Sequence, residues 1–544
     1  MYRSKLAKRV AILLLLGFTG FYLYGLGKLP LIAPDEPRYA QVAREMLKAG
    51  GLITPTLGGY TWFEKPILLY WLAILSYKLL GVSEFSARLG AAAAGILNFM
   101  AIYWLARKVE RQSEDSELKD FSLWSLVVAA TTLGTIVFSR AVSFDILVAA
   151  TMTWALVFFF AWEIEAPGPK QKAFLVAFYV CVGLSLLAKG LIGFLPLATV
   201  ATYFLIRWQV PRRQLLSSLF WGIPLSLAVA SVWYGPAIFR HGTVFVDDFI
   251  VQHHFARYLS NKYNHPQPFV FYFVILVPLT LPWTPIFLNA ICHARNWRWR
   301  SAKLIDRLRV FALAGLLLPT LFFSFSGSKL PGYIVPVLPL TSLLIGERLS
   351  CFVNTGVSTN WLRAMGVLHL LFAAGALLYA RLSGMISLSC ALAVVSPIIV
   401  TGLFVLLWTR FRIICASAIA GTTLLAVAIL LNCGVSKIAG RESVKELIRA
   451  GDARGYSGLP ILGLHLVERS VEFYAHSRVV YSANGQPAKF EGTAEILESE
   501  PARRGPVLVL VPLEHLDQLT SLRSAEIDVI EENGVLALVY LRKL

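Results

Sequence analysis

The residues best suited to chemistry lie in two short charged clusters between the first two apolar segments of the chain. Residues 33–40 read APDEPRYA, and residues 63–66 read FEKP. A carboxylate can serve as a general base or complement a cation, and a lysine beside it can bind a phosphate. We therefore expect a catalytic loop at about residues 33–82. Because a site outside a membrane has no ATP or nucleotide sugar to use, the side on which this loop lies limits its chemistry.

The composition of the chain predicts a polytopic, all-α membrane protein. Of its 544 residues, 57% are hydrophobic and only 15% are charged, and the mean hydropathy is +0.64. Runs of roughly 17 to 25 apolar residues are long enough to cross the hydrocarbon core as helices. We predict thirteen such spans, near residues 10–27, 86–106, 121–139, 146–162, 173–188, 191–206, 215–236, 269–291, 310–325, 332–346, 364–380, 388–408 and 411–431. The apolar stretch 67–81 is short and follows Pro66, so we assign it to the outer membrane interface.

The charge distribution predicts the orientation of the chain. The net charge is +18, yet residues 437–544 carry 13 basic and 15 acidic side chains, so the excess belongs to the membrane part. There the basic residues cluster in alternate loops, which is the positive-inside pattern of a membrane protein rather than a nucleic-acid surface. We therefore expect a bacterial inner-membrane protein without a nucleic-acid partner. Its N-terminus would be cytoplasmic, and the catalytic loop and the segment after Leu431 periplasmic.

Two parts follow from this pattern. Residues 1–436 would form the transmembrane catalytic part, and residues 437–544 a small periplasmic α/β domain in which helical patterns alternate with β-type runs. The second part contains no glycine-rich nucleotide motif. The six cysteines lie in or beside spans, and their pattern predicts neither a disulfide framework nor a CxxC metal site.

The presence of basic residues near the outer ends of spans needs an explanation, because membrane proteins have few lysines and arginines on that side. Several cations converging at that surface would suit an anionic lipid headgroup, especially a phosphate monoester. Alternatively, they pair with local carboxylates or with ordinary anionic lipid. The residues concerned are Lys65, Arg140, Lys189, Arg240, Arg257, Lys262 and Lys329.

The outer carboxylates and histidines also have two readings each. Asp35 and Asp145 stand where helices are predicted to begin, so each could be a helix cap, a site residue or both. His254 and its neighbours could bind a divalent metal together with Glu64, although the spacing matches no standard zinc motif and hydrogen bonding or exposure is the alternative. Lys329 and Tyr333 follow a Gly/Pro-containing break, where they could line a ligand site or serve as a snorkelling lysine and a belt tyrosine.

Taken in order, these motifs resemble a known membrane family. The chain is similar to the bacterial aminoarabinose transferases that modify lipid A, within the wider class of polyprenyl-phosphate-dependent glycosyltransferases that includes protein O-mannosyltransferases. The resemblance covers about the first 340 residues. It rests on PDEPRY (34–39), REML (44–47), FEKP (63–66), Asp145, Lys189-Gly190, His254 with Arg257, and KLP (329–331) with Tyr333.

The resemblance implies a GT-C-like fold and a glycosyltransferase, and the sequence itself requires no cofactor. The donor would be undecaprenyl phosphate carrying 4-amino-4-deoxy-L-arabinose, and the acceptor a lipid A phosphate, a modification that gives resistance to cationic peptides. Lys65, Arg257 and Tyr333 would hold the lipid phosphate, and Asp35, Glu64 and Asp145 would line the sugar and acceptor side. Supporting roles would fall to Glu36, Arg38, Lys189, His254 and Lys329.

The mechanism and two rival functions stay open at this point. A phosphate acceptor is already anionic and needs no strong base, whereas a hydroxyl acceptor would need Asp35 or Asp145 as general base. A homologue with another sugar or acceptor would share the same motifs. A transporter or lipid flippase would also have many spans, but transporters place ionisable groups near the midplane, where this chain is apolar.

Overall fold

The computed structural model is a bundle of membrane helices with a small β-sheet region at the end of the chain. It describes residues 2–113, 118–256, 258, 266–356, 360–482 and 485–544, without the side chains of residues 2–5, 254, 255 and 435–437.

The helices of the first half are α1 Tyr2–Leu23, α2 Asp35–Ala49, α3 Leu68–Leu80, α4 Glu84–Gln112, α5 Phe121–Thr131, α6 Leu133–Phe138, α7 Phe144–Ile164, α8 Pro169–Lys189, α9 Leu195–Arg207 and α10 Arg213–Phe245. The helices that follow, up to the sheet region, are α11 Phe271–Leu279, α12 Thr284–His293, α13 Leu304–Ser324, α14 Leu338–Thr355, α15 Asn360–Ser383, α16 Leu388–Leu407, α17 Arg412–Cys433 and α18 Val435–Arg441.

Helices occupy all thirteen predicted spans, and several of them are interrupted. The span predicted at 121–139 breaks between α5 and α6, and the one at 269–291 breaks between α11 and α12. Short 3₁₀ helices, Gly190–Phe194 and Pro331–Val337, precede α9 and α14. In the described part of the chain, nine helical segments are long and apolar enough to cross a membrane. The polytopic helical fold is therefore confirmed, while the count of thirteen spans stays a prediction.

Ion pairs connect the helices at the end of the bundle where the basic loops were predicted. Arg307 lies 2.8 Å from Glu163, and Arg309 lies 2.6 Å from Glu347. Lys108 likewise pairs with Glu165. We call this the basic end, and we call the other end of the bundle, where the loop of residues 24–67 lies, the site end.

The sheet region confirms the predicted α/β pattern. Its strands are β3 Ile461–Leu464, β4 Lys489–Phe490, β5 Val507–Pro512, β6 Ala525–Glu532 and β7 Leu536–Lys543, after a small hairpin of β1 Thr56–Leu57 and β2 Tyr60–Thr61 near the candidate site. The strand order is β4-β3-β5-β7-β6, with β3 parallel to both β4 and β5 and with β7 antiparallel to both of its neighbours. The helices are α19 Lys445–Ala453, α20 Ser470–Tyr474, α21 Thr493–Glu498, α22 Glu500–Arg504 and α23 Leu516–Thr520.

Side chains alternate along the central strand, so both faces of the sheet are covered. Leu508 and Leu510 of β5 lie in one hydrophobic cluster, and Val507, Val509 and Val511 lie in the other. This period of two is the geometry of a β-strand. The boundary at residue 436 between two domains stays a prediction.

The sheet region packs through α2 against the loop of residues 33–82, which was predicted to be catalytic. The Arg44 guanidinium donates to the carbonyl oxygens of Glu472, at 3.3 Å, and Phe473, at 2.8 Å, both in α20. The backbone amide of Leu31, just ahead of α2, donates to the Tyr474 hydroxyl at 2.7 Å. These contacts connect the sheet region to both ends of the segment that carries Asp35.

The cysteine prediction was incomplete. Cys390, near the start of α16, forms a disulfide with Cys433, the last residue of α17. The two are 43 residues apart, and only the antiparallel packing of two spans brings them together. The pairing lies at the site end of the bundle.

Candidate active site

Glu36 and Arg88 hold the start of α2 in place. The buried Glu36 carboxylate accepts two hydrogen bonds from the Arg88 guanidinium, at 2.9 and 2.8 Å. It also accepts from the backbone amides of Ile32 and Val142. Arg88 in turn donates to the carbonyl oxygens of Leu26, Leu29 and Pro30. Glu36, predicted as a substrate contact, therefore has its carboxylate occupied in joining α4, the loop before α2 and the loop before α7.

Asp35 lies at the exposed edge of this loop and does not cap the helix. The N-cap position of α2 is Pro34, with no side-chain capping bond. The Asp35 carboxylate, 52% exposed, pairs with Arg38 one turn further on. Because Glu36 is held rigidly next to it, Asp35 has a defined position while keeping access to solvent.

Arg38 connects Asp35 to the second charged cluster. Its guanidinium lies 3.6 Å from one carboxylate oxygen of Glu64. The other carboxylate oxygen of Glu64 lies 2.8 Å from the Lys65 ammonium group. The two clusters recognised in the sequence therefore form one chain of alternating charges. All four side chains except Asp35 are largely buried.

The electrostatics keep Glu64 ionised. Burial alone raises the pKa of the Glu64 carboxyl, but the neighbouring charges of Lys65, Arg38 and His253 outweigh burial and hold this pKa well below its usual value of 4.5. Burial likewise lowers the pKa of Arg38, and the carboxylates of Glu64 and Asp35 more than restore it, so the net shift is upward. Glu64 is thus a poor proton acceptor and a good partner for cations.

A second charged group faces the first across the cavity. Asp145, in the first turn of α7, pairs with Lys189 at the end of α8. The Lys189 ammonium group lies over the Tyr333 ring, 4.7 Å from its centre. The α7 cap is Ser143, whose hydroxyl accepts from the Asp145 amide, so the alternative interpretation of Asp145 as the cap is wrong.

Gly332 allows the Tyr333 segment to approach Asp145. A Cβ atom added at Gly332 would lie 2.0 Å from an Asp145 carboxylate oxygen and 2.7 Å from its carboxyl carbon. A side chain at this position would therefore displace Asp145 or the segment itself. The glycine at position 332 thus has a steric reason, since a side chain there would prevent this 3₁₀ helix from packing as closely onto α7.

One cavity of about 770 Å³ brings these groups together. Its polar walls include seven of the predicted site residues: Asp35, Glu36, Glu64, Lys65, Asp145, Lys189 and Tyr333. Its apolar walls come from α9, the 3₁₀ helix before it and α13, through residues such as Ile192, Leu195 and Phe323. A cavity with a charged part and an apolar part in the membrane suits a lipid with a charged headgroup.

Two predicted residues, Arg38 and Lys329, do not line this cavity. Arg38 lies behind the wall and pairs with two of its carboxylates. Lys329 is buried and donates to the carbonyl oxygens of Ser326 and Gln267, so it neither snorkels nor faces the cavity. Arg257 and the His254 side chain lie outside the described part of the chain.

The sequence interpretation missed other residues of the site. His253 lines the cavity, together with Tyr39 and Tyr258. Tyr39 also packs against Phe144, with ring centres 4.9 Å apart, and so joins α2 to α7. Arg88 was missed because it lies among the small apolar residues of a span; an arginine at such a position was itself a signal, since intramembrane charges are rare and paired.

A metal site was predicted from Glu64 and His254. Among the described residues, no group of three or more His, Cys, Asp or Glu side chains could hold a metal ion. The His254 side chain is not among them. Metal dependence therefore stays an open prediction.

Comparison with known proteins supports the resemblance. A family model described as dolichyl-phosphate-mannose-protein mannosyltransferase matches residues 10–235. Curated proteins named undecaprenyl phosphate-alpha-4-amino-4-deoxy-L-arabinose arabinosyl transferase are 30% identical to the chain, over 349 residues in Enterobacter sp. (strain 638) and 373 in Pseudomonas aeruginosa (strain UCBPP-PA14). These matches cover 63% and 68% of this chain and 60% and 65% of the relatives, so they span less than two thirds of the relatives' length.

A solved structure decides the fold. The crystal structure of ArnT from Cupriavidus metallidurans bound to undecaprenyl phosphate superimposes with a TM-score of 0.78 and 21% sequence identity, covering 97% of each chain. The chain has the ArnT fold. The resemblance to aminoarabinose transferases, inferred above from the motifs of the first 340 residues, is confirmed. The structural match also includes the sheet region, so the likeness in fold extends beyond those 340 residues.

Proposed function

We propose that the chain is an integral membrane glycosyltransferase that moves 4-amino-4-deoxy-L-arabinose from undecaprenyl phosphate to phosphate groups of lipid A. The observation that carries this proposal is the cavity of about 770 Å³ in which carboxylates and lysines meet beside an apolar wall. The curated relatives are named for transfer from the same donor, and the solved structure of the same fold binds undecaprenyl phosphate. A transporter is disfavoured because these charged groups gather at one end of the bundle rather than at its midplane.

The cations of the cavity suit the departure of a lipid phosphate. As the bond between sugar and phosphate breaks, negative charge grows on the phosphate oxygens, and preorganised cations stabilise it. We assign this task to Lys65, Arg257 and the Tyr333 hydroxyl, with Lys189 beside Tyr333 as a further cation. Each of these lysines is already held by a carboxylate, which fixes its position before the substrate arrives.

The carboxylates suit the sugar and the acceptor. A phosphate acceptor carries its own negative charge, so the reaction does not require a strong base. The low pKa of Glu64 agrees with this, since that side chain is a poor proton acceptor. We assign to the exposed Asp35 the cationic amino group of the sugar, and to Asp145 the orientation of Lys189 and Tyr333.

The orientation proposed is an inner-membrane protein with the N-terminus in the cytoplasm and the site and sheet region in the periplasm. The basic end holds Arg307, Arg309 and Lys108, each paired with a carboxylate, in agreement with the positive-inside rule. The Cys390–Cys433 disulfide lies at the site end. Disulfides persist in oxidising compartments such as the periplasm and are rare in the cytosol.

Mass spectrometry of lipid A tests the proposal. A bacterial strain that lacks aminoarabinose transfer but makes the donor would receive the full chain, its Lys65→Ala variant or, as a matched control, Lys78→Ala, an exposed lysine of α3. We expect a phosphate-linked aminopentose with the wild type and the control, and a loss of about 100-fold or more with Lys65→Ala. An unchanged lipid A with the wild type would favour the second candidate, a homologous transferase with another sugar or acceptor, which the mannosyltransferase family model supports.

A further inference from the structure

A second cavity lies on the other side of α6 from the candidate active site. It has a volume of about 390 Å³ and is walled by α15, α16 and α17. Leu133 and Val137 of α6 line it, whereas Phe138 of the same short helix lines the active-site cavity. The second cavity extends from Ile386 and Leu430, at the site end, to the middle of α15 and α17. It is thus a groove that begins at one membrane surface and ends inside the bilayer.

The interior of this groove offers an apolar environment. Its few polar side chains are engaged within the helix bundle: the His369 ring is bonded to the Met365 carbonyl, and the Thr423 hydroxyl donates to the Ile419 carbonyl. Thr422 shares a hydrogen bond with Thr401 on the neighbouring helix. Most of the remaining lining is aliphatic or aromatic. Such a surface accepts hydrocarbon rather than a soluble polar molecule.

Two cations lie near the site end of the groove, outside its lining. The Lys28 ammonium group binds the Asn432 side chain, two residues beyond the groove residue Leu430, and lies 3.1 Å from the Tyr24 hydroxyl. The Arg140 amide donates to the carbonyl of the groove residue Val137, and the Arg140 guanidinium donates to the Tyr24 carbonyl at 2.7 Å. Both cations are therefore anchored to the same residue, Tyr24.

The charge of these two cations is not neutralised locally. Over the described residues, neither Lys28 nor Arg140 forms an ion pair with a carboxylate, and both instead contact neutral oxygens. Basic residues are depleted at this end of a membrane protein unless they have a function. An uncompensated pair above an apolar groove matches a molecule with an anionic head and a hydrocarbon tail.

The groove is also braced at its mouth. The Cys390–Cys433 disulfide connects the start of α16 to the end of α17, next to the groove residue Ala391 and to Asn432. Two of the groove's three long helices are therefore held at a fixed separation where a lipid would enter. A braced opening needs less ordering when it binds a ligand.

We propose that this groove binds an anionic membrane lipid, with a phosphate at Lys28 and Arg140 and an acyl chain between α6, α15 and α17. The lipid comes from the leaflet at the site end. It packs against Leu133 and Val137 and so supports the helix that separates it from the active-site cavity. This site is independent of the transferase activity proposed above.

Lipid retention by the purified full-length protein tests this proposal. The protein in detergent is titrated with phosphatidylglycerol or, as a neutral match, with phosphatidylcholine of the same acyl chains, and bound lipid is counted by native mass spectrometry. We expect preferential retention of phosphatidylglycerol by the wild type. Lys28→Ala should weaken this retention about 5-fold, since one surface cation contributes on the order of that factor. Lys28→Arg should retain it, and so should Lys172→Ala, which removes an exposed lysine at the opposite, basic end.

A second variant tests the hydrocarbon part of the site. Ala426→Trp places a bulky ring in the groove and should reduce the retention of both lipids while leaving Lys28 in place. Equal retention of the two lipids by the wild type would overturn the proposal. Unchanged phosphatidylglycerol retention in both Lys28→Ala and Ala426→Trp would overturn it as well. Displacement of the lipid by inorganic phosphate at equal concentration would also overturn it, because a free anion would then be the ligand.

Discussion

At the scale of single residues, the site depends on pairs in which a carboxylate holds a lysine. Glu64 holds Lys65, and Asp145 holds Lys189. A lysine has a long, flexible side chain, and fixing it before the substrate binds removes an entropic cost from the reaction. The carboxylates of these pairs hold the lysines in place, and Asp35, which is 52% exposed, is the most exposed of the three carboxylates.

The close approach of Gly332 to Asp145 gives a prediction at this scale. In Gly332→Ala, the added methyl group would lie 2.0 Å from the Asp145 carboxylate and would push it away from Lys189. A displacement of about 1 Å in a catalytic group can cost about 100-fold in rate, and we expect a loss of that order in aminoarabinose transfer. Gly20→Ala, in α1, meets no atom within 4 Å and serves as the control. Normal turnover in Gly332→Ala would show that Asp145 does not need its present position.

The shifted pKa of Glu64 gives a prediction about pH. The folded-state pKa of Glu64 is below its ordinary value of 4.5, so the unfolded chain binds this proton more readily than the folded one. The stabilisation is therefore complete above about pH 4.5 and is lost only as the pH falls through the lower folded value. We expect the Tm difference between the wild type and Glu64→Gln to stay constant from pH 8 to pH 5. A difference that shrank within this range would mean that Lys65 and Arg38 do not hold the carboxylate ionised.

At the scale of elements, the loop of the candidate active site is held by a buried salt bridge that connects three segments. Arg88 of α4 reaches Glu36 of α2, and Glu36 reaches the loop before α7. Arginine suits this task because its planar fork donates to the carboxylate and to three carbonyl oxygens at once. The geometry of Asp35 thus depends on a residue in a neighbouring helix, 53 positions away in the sequence.

Replacing Arg88 tests this arrangement. Arg88→Met leaves the Glu36 carboxylate buried without its partner, which costs about 3–5 kcal/mol in comparable buried pairs. We expect a clear fall in Tm and a loss of transfer activity. Arg88→Lys should keep more of the stability than of the activity, because a lysine cannot reproduce the fork. Arg111→Met, which changes an exposed arginine of the same helix, should change neither quantity, and equal tolerance at position 88 would contradict the positioning role.

Elements were also the level at which the sequence was most informative. The length of the apolar runs predicted a helix in each of the thirteen segments. A segment that crosses the bilayer must be long enough to span the hydrocarbon core, and its backbone groups must form hydrogen bonds within the segment. The breaks beside Thr132 and between α11 and α12 were not predicted, since the freed backbone groups find partners only in the packed bundle: the Leu133 amide donates to the Leu281 carbonyl. The Cys390–Cys433 disulfide and the ion pair of Arg88 with Glu36 were not predicted for a similar reason, because the partners are distant in sequence. The charged motifs predicted the acidic and basic side chains of the cavity, because charge is rare in a membrane protein and is concentrated at functional sites.

At the scale of the whole molecule, the sheet region and the membrane bundle meet at the helix that carries Asp35. Arg44 of α2 donates to two carbonyl oxygens of α20, and its guanidinium lies over the Phe473 ring, 4.7 Å from the centre. Lys445 of α19 pairs with Glu84 at the start of α4, which also accepts from Tyr474. The sheet region is thus placed to fix the outer surface of the active-site loop, while the Glu36–Arg88 pair fixes its inner surface.

One contact of this interface depends on a neutral histidine. The Arg44 guanidinium lies 2.7 Å from Nδ1 of His476, and because arginine only donates, that nitrogen must accept. Burial lowers the pKa of His476, and the positive charges of Arg44, Lys48 and Arg478 lower it further, with Asp452 opposing them. Protonation of His476 would remove the acceptor and place a second positive charge beside the Arg44 guanidinium.

The sign of this effect predicts how the interface responds to acid. Because the folded pKa of His476 is below its ordinary value of 6.5, the released or unfolded form takes up the proton first. The contribution of His476 to stability is therefore full above about pH 7.5 and declines as the pH falls below 6.5 toward the folded value. We expect the Tm of the wild type to fall more steeply than that of His476→Gln between pH 7 and pH 5. His515→Gln, which changes a histidine of the same sheet region away from this contact, should follow the wild type, and parallel curves for all three proteins would mean that the neutral His476–Arg44 contact does not hold the sheet region on α2.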